Sequence, residues 1–187
     1  MIDPDFPLLD GTGRGDHDAF ESLVKRYQRP LLNFITRYLG DRSAAEDLTQ
    51  EVFLRIYRAA PRFEAKTKVS TWVFRIAYNL VLTEMGRVSR QHNLRETLSR
   101  SSKEDAQEAS TDPVRRFELE EEIMSALGRL PGNQRAALLL RINEELSYVE
   151  IGEVLGVGAQ SVESLLFRGR KGLRERLGRT RKKGAKR

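Results

Sequence analysis

The chain has 187 residues, enough for one domain of ordinary size or for two small ones. It contains no cysteine and only two histidines, His17 and His92, which argues against disulfides, thiolate metal sites and a structural zinc site. There is no run of about 18 apolar residues and no basic segment followed by an apolar one at the start. We therefore expect a cytoplasmic protein without a membrane span or a signal peptide.

Positive charge is concentrated at one end of the chain. The formal net charge is +6, yet 11 of the 33 lysines and arginines and only one of the 27 acids lie in residues 168–187, and the other residues sum to −4. A basic block of this kind usually contacts a polyanion, because each neutralised phosphate releases counterions. For residues 179–187 a solvated, disordered tail is an equal alternative.

The first part of the chain is predicted to be helical after a flexible leader. Residues 1–15 form the leader, because turn-forming residues dominate there. Apolar residues then recur at helical spacing, and Pro30 at a first-turn position predicts two short helices in succession. A capping box of Ser43 and Glu46 opens the next helix, which ends near Pro61. Its predicted inner row is Leu48, Val52, Ile56 and Tyr57.

A polar, basic loop over residues 62–68 precedes a long amphipathic helix. Ser70 is expected to cap this helix, which runs to about Val88. Its predicted inner row is Val73, Ile76, Ala77 and Leu80.

The stretch SSKEDAQEASTDP, residues 101–113, contains no aromatic or branched aliphatic side chain and cannot bury enough surface to fold. We predict a linker over residues 93–112 that joins a domain of residues 16–92 to a domain of residues 113–178.

The second domain is also predicted to be helical. A first helix begins at Asp112 and Pro113, as N-cap and first residue, and ends at Leu130-Pro131-Gly132. A second helix follows over residues 134–142. No segment of the chain has the pattern of a strand, so the predicted fold class is all-α, with two small helical domains joined by a flexible linker.

Residues 147–171 have the pattern of a helix-turn-helix. Ser147 and Glu150 form a capping box, a short apolar face follows, and Gly156 supplies a left-handed stop. On the second helix the predicted inner row is Val162, Leu166, Gly169 and Leu173. The predicted outer row is Ser164, Phe167, Arg168 and Lys171. This pattern is typical of a recognition helix in a DNA major groove; an ordinary helical hairpin with a solvated face is the alternative.

Two further groups of residues suggest binding. Asp47, Gln50 and Glu51 share a helix face that is suited to a basic protein partner, although a solvated surface and a metal-dependent nuclease site stay open as alternatives. Phe63, Lys66 and Thr67 precede a helix that presents Asn79, and together they could stack unpaired bases. Core packing with solvated charges explains the same composition.

No catalytic constellation is present, because the chain lacks a cysteine, a Gly-x-Ser-x-Gly motif and a histidine partner.

Several motifs occur together, in order, between about Asp16 and Leu177: FESLVKRYQRPLLNFITRYLGDRSAAEDLTQEVFLRIYRA, RF followed by STWVFRIAYNL, a polar linker, and LPGNQRAALLLRINEELSYVEIGEVLGVGAQSVESLLFRGRKGLRERL. In this combination the chain resembles bacterial RNA polymerase sigma factors of the extracytoplasmic-function group. The resemblance implies a σ2 domain and a σ4 domain without the intervening σ3 domain. It also implies a promoter-specificity subunit that is not an enzyme.

The resemblance assigns three sets of residues. Contacts with the clamp helices of the largest polymerase subunit fall on Asp47, Leu48, Gln50, Glu51, Phe53 and Arg55. Recognition and melting of the promoter's minus-10 element, with flipped-out bases held by the protein, fall on Phe63, Lys66, Thr67, Ser70, Trp72, Arg75 and Asn79. Recognition of the duplex minus-35 element falls on Arg141, Ser164, Phe167, Arg168 and Lys171.

The implied partners are core RNA polymerase, through its clamp helices and flap, promoter DNA, and an anti-sigma factor that occludes both domains. No cofactor and no small-molecule substrate are implied, and the membrane is reached only through an anti-sigma factor. The chain departs from the family pattern at Thr83, Gly86, Glu163 and Leu165, which leaves the preferred promoter sequence open. A stand-alone helix-turn-helix repressor or activator is the competing function.

Overall fold

The computed structural model describes residues 3–96 and 113–184. Over these ranges the chain contains helices and no strand, which confirms the predicted all-α class. The elements are α1 (Phe6–Gly13), α2 (His17–Leu39), α3 (Arg42–Ala59), a 3₁₀ turn (Ala60–Arg62), α4 (Val69–Glu96), α5 (Pro113–Gly128), α6 (Gly132–Asn143), α7 (Tyr148–Leu155) and α8 (Ala159–Gly184). We call α1–α4 the first unit and α5–α8 the second unit.

The first unit packs α2, α3 and α4 around a core that includes Phe34, Val52 and Phe74. In contrast to the predicted pair of short helices, α2 is a single helix that runs through Pro30. A proline inside a helix removes one backbone hydrogen bond and usually kinks it. Here the apolar rows on both sides of Pro30 stay on one buried face, so packing holds the helix together.

The predicted flexible leader is wrong for residues 6–13, which form α1. Leu9 of this helix is completely buried. Just before the helix, the Asp5 carboxylate accepts a hydrogen bond from the Tyr27 hydroxyl and pairs with the Arg26 guanidinium at 2.7 Å. The helix is therefore held by partners more than 20 residues away, which no local sequence signal can indicate.

Two helix caps in the first unit differ from the prediction. Asp41, and not Ser43, is the N-cap of α3, and its side chain accepts a hydrogen bond from the Ala44 backbone N–H at 3.0 Å. Helix α4 begins one residue before Ser70, and the backbone N–H of Val69 donates to the Asp3 carboxylate at 2.5 Å. A carboxylate from the start of the chain thus takes the capping role at α4.

The predicted inner rows of α3 and α4 are largely correct. Val52, Ile56, Val73, Ala77 and Leu80 are all buried. Leu48 and Ile76 are only partly buried. Tyr57 is wrong as an inner residue, because 38% of it is exposed.

The second unit contains the predicted helix-turn-helix. The capping box is present at α7: the Glu150 backbone N–H donates to Ser147, and the Ser147 N–H donates to the Glu150 carboxylate. Gly156 ends the helix in the left-handed conformation, at φ 69°. Helix α8 then continues through Gly184, past the start of the predicted basic tail.

The two units pack against each other, which the sequence did not predict. The buried Arg135 guanidinium of α6 donates to the Tyr38 carbonyl of α2 at 2.6 Å and lies 5.0 Å from the Tyr38 ring centroid. The Tyr78 hydroxyl of α4 donates to the side-chain oxygen of Asn133 at 2.8 Å. The predicted linker overlaps the end of α4, and residues 97–112 of it lie outside the described residues.

Candidate polymerase and nucleic-acid interfaces

Helix α8 has one buried row and one exposed row, as predicted. Val162 and Leu166 are buried, and a Cβ atom at Gly169 would lie 3.0 Å from the Leu138 side chain, so α8 lies close against α6. On the opposite side, 68% of Phe167 is exposed. Arg168 is exposed too, and its Nε donates to the Ser164 carbonyl at 3.2 Å. All four predicted outer residues are exposed: Ser164, Phe167, Arg168 and Lys171.

Arg141, the fifth predicted minus-35 residue, contacts other residues of the second unit. Its guanidinium donates to the Leu146 carbonyl at 3.0 Å and lies 5.7 Å from the Tyr148 ring centroid. These contacts stabilise the turn between α6 and α7. Because Arg141 is exposed and a guanidinium has five N–H donors, the remaining donors are available to a phosphate.

A pocket of about 410 Å³ opens on the first unit between α3, the 3₁₀ turn and α4. Its wall contains three guanidinium groups, Arg55, Arg58 and Arg62, and the side chains of Trp72 and Asn79. Arg58, Arg62 and Ile76 were not predicted as site residues. Arg55 and Arg58 recur at helical spacing three residues apart, which is the one sequence signal that could have indicated a shared basic face.

Three aromatic rings continue from this pocket toward the start of the chain. The Trp72 ring packs edge-on against Phe63 with centroids 5.0 Å apart, and the Phe63 ring lies 6.4 Å from that of Phe6. All three side chains are partly buried against the core. Phe63 and Trp72 therefore serve two roles, because they complete the core and line clefts at the surface.

The other predicted minus-10 residues lie around the loop that precedes α4. Lys66 forms an ion pair with Glu64, and the Thr67 hydroxyl donates to the Glu153 carboxylate of α7. Ser70 is half-buried in the first turn of α4. Arg75 is exposed but does not line the pocket. The structure thus places Trp72 and Asn79 at the pocket and Phe63, Lys66 and Thr67 in the segment before α4, whereas Ser70 and Arg75 lie on α4 outside the pocket.

The acidic face of α3 is exposed where the sequence predicted it. Asp47 and Gln50 are exposed, and Glu51 accepts a hydrogen bond from Arg55 at 2.8 Å. Phe53 is wrong as a surface contact, because only 7% of it is exposed and its ring packs edge-on against Phe20. Leu54 is 50% exposed on the same helix. Across the described residues, no group of three or more acidic or histidine side chains converges as metal ligands would.

Comparison with known proteins identifies two family regions in the chain. The Sigma-70 region 2 family model matches residues 23–91, and the Sigma-70 region 4 model matches residues 120–173. The chain belongs to the sigma-70 family. Region 2 therefore forms most of the first unit, and region 4 contains the helix-turn-helix of the second.

The relatives are sigma factors of the extracytoplasmic-function (ECF) group. The sigma factor is 33% identical to the ECF RNA polymerase sigma factor SigW of Bacillus subtilis, covering 88% of this chain and 91% of the relative. It is also 33% identical to the RNA polymerase sigma-H factor of Pseudomonas aeruginosa, over 90% of this chain and 91% of that protein. As an ECF sigma factor, it is a non-catalytic initiation factor that acts with RNA polymerase on promoter DNA.

Two solved structures share the fold over most of the chain. CnrH in complex with the cytosolic domain of CnrY matches with a TM-score of 0.70 and 23% identity, over 93% of this chain and 97% of that chain. RpoE of Bartonella quintana in complex with the anti-sigma factor NepR matches with a TM-score of 0.69 and 23% identity, over 85% and 96%. Within the part of this sigma factor that the structure describes, no helix is long and apolar enough to span a membrane.

Proposed function

We propose that this sigma factor recognises a two-element promoter through two chemically different surfaces. The exposed row of α8 binds the minus-35 element as duplex, and the first unit holds unpaired bases of the minus-10 element. The acidic face of α3, with Asp47, Gln50 and Glu51, docks on the polymerase clamp helices. The sigma factor acts in the cytoplasm, and an anti-sigma factor is its expected inhibitor.

The pocket of the first unit is the observation that carries this proposal. It combines three guanidinium groups with one indole ring and one amide, in a single opening of about 410 Å³. Guanidinium groups neutralise phosphates, an aromatic face stacks a base, and an amide forms hydrogen bonds with base edges. This combination suits a single-stranded nucleotide better than duplex DNA, whose bases are stacked and paired.

The outer row of α8 has the chemistry of duplex recognition. Arg168 can donate two hydrogen bonds to a guanine edge, Phe167 can contact a thymine methyl group, and Lys171 can neutralise a phosphate. The row needs no rearrangement of the helix, because the opposite row fixes α8 in the core through Val162 and Leu166.

Run-off transcription with purified core RNA polymerase on a promoter library tests the proposal. We expect initiation that depends on both proteins and selects templates sharing two sequence blocks at a fixed spacing. A stand-alone helix-turn-helix regulator would instead bind one duplex site without polymerase. Tight duplex binding by the sigma factor alone, with no initiation, would contradict the proposal.

The docking face has its own test. Replacing Gln50 and Glu51 by alanine should weaken binding to core polymerase, because both side chains lie on the exposed face of α3. The double variant Glu21→Ala and Gln28→Ala, which removes the same two kinds of side chain at exposed positions of α2, is the matched control. Equal affinity of the Gln50/Glu51 variant and the wild type for core polymerase would rule out this face as the docking surface.

A further inference from the structure

Helix α4 brings Trp72 and Asn79 to the pocket, and its first turn is capped from the start of the chain. Lys68 precedes the helix and accepts its first backbone hydrogen bond, from Trp72 at 3.0 Å. A lysine side chain has only N–H donors, so it cannot accept from the free N–H groups of that turn. The Asp3 carboxylate does so instead, at the Val69 N–H. The first turn of α4 is therefore held by a residue 66 positions earlier in the chain.

Asp3 is fixed in turn by the residues that follow it. Its second carboxylate oxygen accepts a hydrogen bond from the Asp5 backbone N–H at 2.9 Å, which closes a turn before α1. The buried Asp5 side chain pairs with the Arg26 guanidinium and accepts from the Tyr27 hydroxyl. Burial, together with Asp5, raises the pKa of Tyr27, so that the hydroxyl remains a donor. Two consecutive carboxylates thus connect α2 to the first turn of α4.

Helix α1 supports the rest of the same surface. Its Phe6 ring lies 6.4 Å from the Phe63 ring, which packs edge-on against Trp72 with centroids 5.0 Å apart. At the other end of α1, a Cβ atom at Gly13 would lie 3.1 Å from the Ala60 backbone. Helix α1 therefore lies directly against the 3₁₀ turn, which forms one wall of the pocket.

Capture of an unpaired base depends on groups that are in place before the base arrives. Any ordering of the indole, the amide or the guanidinium groups on binding would be subtracted from the affinity. A binding site is therefore held best by side chains that do not themselves contact the ligand. Asp3 and Phe6 meet this description, because they contact the parts that form the pocket and do not line it.

We propose that residues 3–13, which we call the N-terminal strap, position the minus-10 surface. Asp3 holds the first turn of α4, and Phe6 supports the aromatic pair of Phe63 and Trp72. This role rests on the proposed minus-10 function and adds two positioning residues to it. Asp3 is negatively charged and is unsuited to contact a phosphate itself, so it acts through α4.

The fluorescence of the sigma factor tests the position of the indole, because Trp72 is the one tryptophan of the chain. Asp3→Ala should shift the emission maximum to longer wavelength and raise the acrylamide quenching constant, since the first turn of α4 loses its cap. Asp10→Ala removes an exposed carboxylate from the same strap and is the matched control. Unchanged fluorescence of the Asp3 variant, or equal changes in both variants, would overturn the proposal.

Binding measurements separate positioning from a general loss of stability. In complex with core polymerase, Asp3→Ala should bind a random-sequence pool of single-stranded oligonucleotides about fivefold more weakly than the wild type, which is the effect of one lost cap on an equilibrium constant. Binding by core polymerase alone is subtracted. Affinity for core polymerase and for a random-sequence duplex should stay unchanged. A similar loss in all three measurements would overturn the proposal.

A local cap should replace Asp3. Lys68→Ser places a hydroxyl directly before α4, whereas Lys68→Ala removes the same ammonium without supplying an acceptor. Combined with Asp3→Ala, the serine variant should recover most of the lost affinity for single strands, and the alanine variant should recover none. With Asp3 present, the two Lys68 variants should bind alike. Equal binding by the two double variants would overturn the proposal.

The outcome is separable from that of the proposed function. Fluorescence of the free protein reports on the strap alone, whereas single-strand binding and run-off transcription by the wild type report on minus-10 recognition. If Asp3→Ala changes the fluorescence but the wild-type complex binds single strands no better than core polymerase alone, the proposed function fails. If the wild-type complex binds them and Asp3→Ala binds them equally well, only the positioning role is overturned.

Discussion

The two candidate DNA surfaces are built in different ways. On α8, one helix carries all four outer residues, and the opposite row anchors that helix in the core. In the first unit the pocket is assembled from α3, the 3₁₀ turn and α4, and the neighbouring loop is covered by α7. A surface on one helix follows directly from sequence periodicity, whereas an assembled surface depends on the tertiary fold and can be covered or uncovered.

The largest effect is expected at the neighbouring residues Leu166 and Phe167 of α8. Replacing the first should lower stability, and replacing the second should weaken DNA binding. Leu166→Ala removes a side chain that is 1% exposed and should lower the free energy of unfolding by about 2–5 kcal/mol. Phe167→Ala should change it by no more than about 0.5 kcal/mol, because that ring is 68% exposed, yet it should weaken minus-35 binding. Urea unfolding and duplex binding measure the two effects. Similar unfolding midpoints for both variants would contradict the assigned rows.

Binding of an unpaired base in the pocket of the first unit should depend on the indole ring of Trp72. Trp72→Ala should weaken binding of a single-stranded minus-10 sequence by about 1–3 kcal/mol, which is the contribution of one stacked base. Trp72→Phe keeps a ring at the same place and should retain most of the affinity. Oligonucleotide binding by each folded variant measures this. If the alanine variant is folded and binds as well as the wild type, the pocket does not stack a base.

Helix capping offers a matched pair of serines. Ser147→Ala should lower the free energy of unfolding by about 1 kcal/mol, because Ser147 caps α7. Ser43→Ala should have almost no effect, because Asp41 is the cap of α3. Thermal unfolding of the two variants beside the wild type measures the difference. Equal losses would show that the caps are assigned incorrectly.

Stability should also depend on pH through Glu144 at the α6–α7 turn. Burial raises the pKa of Glu144 from 4.5 to about 7, against the opposing charge of Arg37. Because the unfolded chain releases this proton near pH 4.5 and the folded chain keeps it until about 7, stability should fall as pH rises through that interval. Glu150 contributes almost no slope between pH 6 and 7, because its pKa is about 2 in the folded chain and 4.5 in the unfolded chain, so that it is ionised in both states there.

Urea unfolding at several pH values between 5 and 7 checks this prediction. Glu144→Gln should remove part of the slope that the wild type shows, because the contributions of all other groups are common to both proteins and cancel in the difference. An identical slope in both proteins would mean that Glu144 does not titrate with a raised pKa.

Local patterns predicted much of the fold and part of the site. The capping box at Ser147, the stop at Gly156 and the two rows of α8 are all encoded within a few turns of helix, and each was predicted. Helix α1 was not, because it depends on Asp5 meeting Tyr27. The resemblance to the family assigned Phe53 to the polymerase contact, whereas its burial against Phe20 depends on how α2 meets α3.

The packing of the two units could not be predicted from the sequence, for the same reason. The pairs that hold it, such as Lys68 with Glu150 and Tyr78 with Asn133, join residues more than 50 positions apart. Single charged or polar residues carry no pattern that identifies a distant partner. The resemblance to a family named the two surfaces, and only the three-dimensional arrangement revealed that one of them is covered.

The most direct test of the central claim is the distance between the two units in the free and the promoter-bound sigma factor. Spin labels on Gln28→Cys of α2 and Glu121→Cys of α5 occupy exposed sites outside both DNA surfaces, and no other cysteine competes for labelling. Electron double-resonance spectroscopy should give one short, narrow distance distribution for the free protein and a distribution longer by tens of ångströms in the complex with core polymerase and promoter. The same distribution in both states would contradict the account.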